Sequence, residues 1–232
     1  MKKIGIIVAM EEELEKIRNI AEVLKEKKIF DLCFLEATIS GKDVVLTKSG
    51  VGKVNAARVT QIMIDNFNLE LVINVGSAGA LNPMLNIGDV VIANGLVQHD
   101  FDITAFGHSK GYITGIGNII YSDSKIIKKM QQSIKNIEDK TYKVETGIIA
   151  SGDIFCTDVA MKDKIYAKFN ADCVEMEGAA IAQVCLLDEI PFLIIRSISD
   201  TPNGKNAMVF DEFVHLASQR CANILKSFLQ IM

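Results

Sequence analysis

Leu71-Val72-Ile73-Asn74-Val75-Gly76-Ser77-Ala78-Gly79-Ala80 is an apolar, β-branched run that ends in small residues. Such a run is typical of a strand buried on both faces, in a central sheet covered by helices. Open α/β sheets bind ligands outside the carboxyl ends of their strands, and the small residues would leave room there. Ser77 would offer a hydroxyl to a ligand, although close packing of a helix on the strand would explain the small residues equally well.

Similar apolar runs recur along the chain, with amphipathic segments between them, which predicts an α/β fold. With three prolines and no linker or repeat, the sequence predicts a single domain over residues 1–232. The expected strands are 4–8, 44–46, 71–75, 90–93, 146–150 and 192–198, and the expected helices are 12–25, 54–66, 124–136, 178–187 and 211–229.

Composition excludes several classes of function. The net charge is −4 and the lysines are scattered, so neither nucleic acid nor an anionic membrane is an expected partner. The uncharged stretch 71–88 is broken by glycines, asparagines and a proline, which argues against a membrane span. The run 4–10 ends at three glutamates and reads as a buried strand rather than a signal peptide. Five cysteines without a CxxC pair predict reduced, mostly buried thiols and a cytoplasmic protein.

Carboxylates cluster at the start of two of the predicted helices. Glu11, Glu12 and Glu13 come directly after the first strand, although acidic residues there would also stabilise the first turn of a helix. Glu175 and Glu177 share one face only if their segment is extended, because side chains alternate along a strand. A strand ending at Glu177 would aim both carboxylates into a cleft, where the vicinal hydroxyls of a sugar are suitable partners.

The apolar run 192–198 carries Arg196 and is followed by Asp200. A buried arginine is costly unless it is paired, so we expect a carboxylate partner. Asp200 would lie at the carboxyl end of this strand, in position for chemistry, or would cap the turn that Pro202 begins.

Two other motifs are poor candidates for a site. Ser49-Gly50-Val51-Gly52-Lys53-Val54-Asn55 lacks the third glycine of a dinucleotide loop and the Ser or Thr that follows the lysine of a phosphate loop. Its glycines would still let the backbone approach a ligand or another strand. His99-Asp100-Phe101-Asp102 has no second ligand cluster at a metal-site spacing, so we expect no metal.

The order of these motifs resembles the 5′-methylthioadenosine/S-adenosylhomocysteine nucleosidases, which have the nucleoside phosphorylase fold. The resemblance runs nearly from end to end and implies a central mixed β-sheet flanked by helices. It is carried by Ala9-Met10-Glu11-Glu12-Glu13, Lys48-Ser49-Gly50-Val51-Gly52-Lys53-Val54, Gly76-Ser77-Ala78-Gly79, Thr104-Ala105-Phe106-Gly107, Ser151-Gly152-Asp153, Glu175-Met176-Glu177, Arg196-Ser197-Ile198-Ser199-Asp200 and Phe210-Asp211-Glu212-Phe213.

The resemblance implies roles for individual residues in the hydrolysis of a purine nucleoside. Asp200 would protonate purine N7, Glu13 would hold and deprotonate the attacking water, and Glu177 would bind the ribose hydroxyls. This division between an acid and a base suits an oxocarbenium-like transition state, and it needs no metal or organic cofactor. Phe155 would stack on the purine, and the backbone at Cys156 would read the adenine edge. Met176 would lie near the sugar, and Ser77 and Arg196 would position the water and Glu13. Glu175 and Ser199 would complete the supporting set.

The resemblance also implies a homodimer and an apolar pocket for the 5′-alkylthio group. The chain departs from the family pattern in two places that bear on this pocket. The loop 108–116 reads His-Ser-Lys-Gly-Tyr-Ile-Thr-Gly-Ile, where the family usually has a glutamine, prolines and a phenylalanine, and Cys156 replaces the usual isoleucine. The pocket residues would be Met10, Val51, Ile103 and Phe210, with Phe106 contributed by the second subunit.

Two other functions are compatible with the same fold. A nucleoside phosphorylase would need cationic donors for phosphate, whereas this chain has Asn74 where phosphorylases have an arginine, and its first junction is triply acidic. A binding protein without catalysis would be expected to lack Asp200, Glu13 or Glu177, and all three are present. The ranking among methylthioadenosine, adenosylhomocysteine, deoxyadenosine and aminodeoxyfutalosine stays open.

Overall fold

The computed structural model describes residues 2–135, 137, 141–202 and 206–232, with only the backbone for 206–212. Ten strands and six helices lie in these ranges. The strands are β1 (Lys3–Val8), β2 (Glu22–Ile29), β3 (Leu32–Ile39), β4 (Lys42–Lys48), β5 (Leu69–Ala80), β6 (Val90–Gln98), β7 (Ile120–Tyr121), β8 (Val144–Ser151), β9 (Cys173–Glu175) and β10 (Phe192–Asp200). The helices are α1 (Glu11–Arg18), α2 (Lys53–Asn66), α3 (Ser124–Ile134), α4 (Val159–Phe169), α5 (Gly178–Leu187) and α6 (Asn206–Ile231).

The strands form one mixed sheet, as the family resemblance implies. β1 lies between β4 and β5, and β5 also pairs with β10, all in parallel. β10 then pairs with β6, β6 with β8, β8 with β9, and β9 with β5, so that these five strands form a closed ring of pairings. Because β1, β4, β5 and β10 run in the same direction, their carboxyl ends meet at one edge of the sheet.

Helices cover both faces of this sheet. α2 and α5 pack together over one face, whereas α1 and α3 both pack against α6 over the other. Side chains of β5 point to the two faces alternately. Val72 packs in the hydrophobic core beneath α2 and α5, the first core, whereas Leu71 and Ile73 pack in the core beneath α6, the second core. This arrangement explains why the strand is apolar at nearly every position.

The predicted helix 12–25 is wrong beyond Arg18, where α1 ends. The chain turns instead into β2, an edge strand that pairs with β3 alone among the described strands. β2 is rich in Lys and Glu, residues that protect an exposed edge from pairing with other chains. The same residues are good helix formers, so composition alone gives a helical signal. The strands and helices expected from the sequence do not include β3 or α4.

Four of the five cysteines are buried, as expected, but Cys33 is exposed on β3. No helix in the described part of the chain is long and apolar enough to span a bilayer.

The fit of α6 against the sheet gives a test of the core. Phe228 is fully buried in the second core, so Phe228→Ala should lower the free energy of unfolding by about 3–5 kcal/mol. Leu216, on the same helix, is 40% exposed, and Leu216→Ala should cost about 1 kcal/mol or less. Urea denaturation at one fixed protein concentration measures both. Equal losses in the two variants would contradict this packing of α6.

Candidate active site

A cavity of about 280 Å³ opens at the edge where β1, β5 and β10 end. Its position agrees with the rule that α/β sheets bind ligands beyond the carboxyl ends of their strands. Twelve of the fifteen residues predicted for the site line it: Met10, Glu13, Val51, Ser77, Phe155, Cys156, Glu175, Met176, Glu177, Arg196, Ser199 and Asp200.

Three predicted residues are not placed at this cavity. Ile103 and Phe106 lie outside its lining, and Phe106 is 81% exposed in a short 3₁₀ helix over Thr104–Phe106. The side chain of Phe210 lies outside the described residues. The apolar side chains of this chain that do line the cavity include Met10, Val51, Ile154 and Met176.

Glu13 is buried in the first turn of α1 and faces the cavity. Its Oε2 accepts hydrogen bonds from the backbone N–H groups of Ala9 (2.9 Å) and Met10 (3.1 Å), and its Oε1 accepts one from Ser77 (3.1 Å). The same carboxylate therefore caps the helix, as an acidic first turn suggests, and also lines the cavity. Burial raises the pKa of Glu13, although the charge of Arg196 and the three N–H donors oppose the rise.

Gly76 explains part of the glycine pattern at the end of β5. A Cβ atom at this position would lie 2.8 Å from Glu13 Oε1 and 3.3 Å from Arg196 Nη1. Because glycine has no Cβ, the side chains of Glu13 and Arg196 can both lie close to this part of β5.

Arg196 is fully buried in β10 and is bonded mainly to Glu175. Its Nε donates to Glu175 Oε2 at 3.2 Å, and its Nη2 donates to that oxygen and to Asn74 Oδ1. Glu177 Oε2 is 3.9 Å from Nη2. The expectation of a carboxylate partner is correct, but the partner that the resemblance implied, Glu13, is wrong. Glu175 takes that place because it ends β9 directly beside the guanidinium.

Glu175 and Glu177 have different surroundings although they are two residues apart. β9 ends at Glu175, not at Glu177 as predicted, and Glu177 immediately precedes α5. Oε2 of Glu175 accepts from the N–H groups of Glu177 (3.0 Å) and Gly178 (2.7 Å), and Oε1 accepts from the Ser151 hydroxyl. Glu175 is therefore held by hydrogen bonds to the start of α5 and to β8.

Glu177 makes fewer contacts and is a stronger candidate for binding a ligand. Its Oε1 accepts a hydrogen bond from the N–H of Gly52 at 2.8 Å, so the glycine turn before α2 does bring backbone to the site. Burial, reinforced by the negative charge of Glu175, raises the pKa of Glu177 to about 7, while Arg196 opposes the rise.

Asp200 ends β10, lines the cavity and lies against Gly79. A Cβ at Gly79 would lie 2.9 Å from Asp200 Oδ2, so the small residue permits this close approach. Asp200 Oδ1 accepts from the Ser199 hydroxyl at 3.1 Å, and Oδ2 accepts from Lys162 Nζ at 2.6 Å. Sequence analysis missed Lys162, because α4 was not predicted and a lysine carries no signal of burial.

Comparison with known proteins assigns the chain to a family. Residues 3–230 match the family model described as the phosphorylase superfamily. A 5′-methylthioadenosine/S-adenosylhomocysteine nucleosidase of Geobacillus sp. (strain WCH70) is 42% identical over 228 residues, which cover 98% of this chain and 97% of the relative. The corresponding protein of Staphylococcus haemolyticus (strain JCSC1435) is 40% identical and covers 99% of this chain and 100% of its own.

Solved structures agree with this assignment. The 5′-methylthioadenosine/S-adenosylhomocysteine nucleosidase from Neisseria meningitidis, in complex with methylthio-immucillin-A, superimposes with a TM-score of 0.94 at 37% identity, covering all of both chains. The futalosine hydrolase of Helicobacter pylori strain 26695 gives a TM-score of 0.93 at 32% identity, covering 100% of this chain and 98% of its own. The chain therefore belongs to the 5′-methylthioadenosine/S-adenosylhomocysteine nucleosidases of the phosphorylase superfamily.

Proposed function

We propose that this protein hydrolyses the N-glycosidic bond of 5′-methylthioadenosine and S-adenosylhomocysteine, releasing adenine and the 5′-thioribose product. The observation that carries this proposal is the charge of the cavity. Glu13, Glu177 and Asp200 line it together, and the one cation among its described lining residues, Arg196, is already bonded to Glu175 and Asn74. Phosphate would find carboxylates instead of free cationic donors, so water is the acceptor that this lining favours.

The three carboxyl groups divide the reaction between them. As the bond between C1′ and N9 breaks, its electron pair passes to the purine and Asp200 gives a proton to N7, so that adenine leaves as a neutral molecule. Glu13 takes a proton from the water whose oxygen bonds to C1′. Glu177 accepts hydrogen bonds from the ribose hydroxyls. A proton-transfer role of this kind is typically worth about 10²–10⁴-fold in rate.

The remaining lining residues suit an adenine nucleoside. Phe155 is 51% exposed at the cavity and offers a ring on which the purine can stack, next to the backbone of Cys156, which would read the adenine edge. Met176 would pack against the sugar. Ser77 and Ser199 complete the binding set, and Met10 and Val51 would contact the 5′-alkylthio group.

We further infer a homodimer in which Phe106 completes the 5′-pocket of the partner subunit. The exposure of Phe106 away from the cavity of its own chain supports this assembly, since a large exposed aromatic side chain suits an interface. We place Ile103 and Phe210 in the same pocket by resemblance. A single nucleosidase domain over residues 1–232 is supported by the one sheet, and a cytoplasmic location by the five free cysteines.

Adenine release from 5′-methylthioadenosine, with and without phosphate, tests the proposed function. We expect fast release in phosphate-free buffer, with free methylthioribose as the sugar product and no change on adding phosphate. Chromatography of the sugar product distinguishes hydrolysis from phosphorolysis. Release that depends on phosphate and gives a sugar 1-phosphate would show a phosphorylase, and binding without release would favour the binding-protein alternative.

Asp200→Asn should abolish most turnover while substrate still binds. An amide in place of the carboxyl group cannot protonate N7, so kcat should fall by about 10²–10⁴-fold or more. Quench-flow or coupled assays of adenine release give kcat, and binding of a non-hydrolysable analogue, measured by calorimetry, gives Kd. Near-normal kcat would remove Asp200 from the acid role.

Glu177→Gln should change how stability depends on pH. The pKa of Glu177 is about 7 in the folded protein against an ordinary 4.5, so the folded state binds this proton more tightly than the unfolded state. The wild-type protein therefore loses free energy of unfolding as pH rises from about 4.5 to 7, and the variant lacks that loss. We expect the melting temperature of Glu177→Gln, relative to wild type, to rise by a few degrees between pH 5 and 8.

Differential scanning calorimetry over that range measures the effect. Glu70→Gln, which removes an exposed carboxylate on β5, is the control for the loss of one negative charge. If the wild-type and Glu177→Gln curves run parallel from pH 5 to 8, the carboxyl group of Glu177 does not ionise within this window in the folded protein.

A further inference from the structure

We propose that Lys162 is a positioning residue that holds Asp200 in place as the proton donor to the purine and pairs with the carboxylate that proton transfer leaves. Lys162 lies on α4 with 1% of its surface exposed, and its Nζ donates to Asp200 Oδ2 at 2.6 Å and to the carbonyl oxygen of Thr201 at 3.2 Å. The ammonium thus forms hydrogen bonds with Asp200 and Thr201, two successive residues at the end of β10. This inference rests on the acid role proposed for Asp200.

The burial of this ion pair argues for a function beyond folding. Removing an ammonium group from water is costly, and a buried ion pair is often no more stabilising than apolar residues of similar volume. The fold therefore gains little from a lysine at this position. A buried charge that contacts a proposed catalytic group is better explained by what it does to that group.

A hydrogen bond to each oxygen holds the carboxyl group of Asp200 in place. Lys162 is not part of the cavity lining, whereas Asp200 is, so the ammonium reaches Oδ2 from outside the cavity. The Ser199 hydroxyl donates to Oδ1, and Gly79, which has no Cβ, lets the carboxyl group lie close against β5. An acid held in this way keeps its orientation when the purine enters, which is what efficient proton transfer requires.

The positive charge of Lys162 has a second effect, which acts on the carboxylate that forms on Asp200. When the glycosidic bond breaks, the proton leaves Asp200 for N7 and a carboxylate remains on Asp200. The ammonium, 2.6 Å from Oδ2, pairs with the negative charge as it develops on Asp200 during proton transfer to the leaving purine. The effect is confined to leaving groups that need a proton.

The choice of leaving group therefore tests the proposal. Lys162→Met keeps the length and apolar stem of the side chain and removes the charge, and Lys162→Arg restores a cation. The substrates are 5′-methylthioadenosine and p-nitrophenyl 5-methylthioriboside, whose nitrophenolate leaves without protonation. Lys164→Met, an exposed position on the same helix, is the matched control. Steady-state kcat and KM are measured for each variant at the wild-type pH optimum.

For Lys162→Met we expect kcat on methylthioadenosine to fall at least about tenfold, with KM within about threefold of wild type. On the nitrophenyl substrate kcat should change less than about twofold, Lys162→Arg should recover part of the loss, and Lys164→Met should match wild type. Equal loss on both substrates, or no loss on methylthioadenosine, would overturn the role of Lys162. If Lys162→Met does not fold, Lys162→Arg decides: an equal fall of kcat on both substrates overturns the role. Failure of the wild-type protein to release adenine would instead refute the proposed function.

Discussion

The buried guanidinium of Arg196 is the charge on which the cavity depends. It lies in the middle of the sheet, out of reach of water, where an unpaired cation would be too costly to keep. Glu175 and Asn74 satisfy its hydrogen bonds, and Glu177 lies within 4 Å. The dependence is mutual, since these buried carboxylates would repel one another without the positive charge. The positive charge of Arg196 therefore allows Glu175 and Glu177 to be buried together at the cavity.

That arrangement gives the carboxylates different properties. Glu175 receives the hydrogen bonds of the guanidinium together with two backbone N–H groups. Glu13 is held by three N–H donors, yet burial still raises its pKa. Glu177 is farther from the cation and close to Glu175, and its pKa rises to about 7. A base whose pKa moves toward neutrality transfers protons more effectively at neutral pH, so burial of Glu13 would serve the base role proposed for it while it costs stability.

Much of this site could be predicted because strand ends are marked in sequence. Apolar runs followed by Gly76, Ser77 or Glu13 identify the central strands and the edge where they meet, and the cavity lies there. The partner of Arg196 could not be read in this way, because several acidic residues compete for it and only the tertiary pairing of β9 with β5 and β8 selects Glu175. Lys162 was missed for a related reason: its burial depends on a contact 38 residues away.

The choice between water and phosphate follows from how Asn74 is used. At the position where phosphorylases carry an arginine, Asn74 donates its amide N–H to the carbonyl oxygen of Ile7 at 2.9 Å and accepts from Arg196. It therefore adds no positive charge and occupies one donor of the guanidinium that is present. A phosphate dianion entering this cavity would lose its hydration shell without gaining a free cation from the described lining residues, whereas a neutral water molecule loses little. The same hydrogen bonds that stabilise the buried arginine thus determine which nucleophile the site can accept.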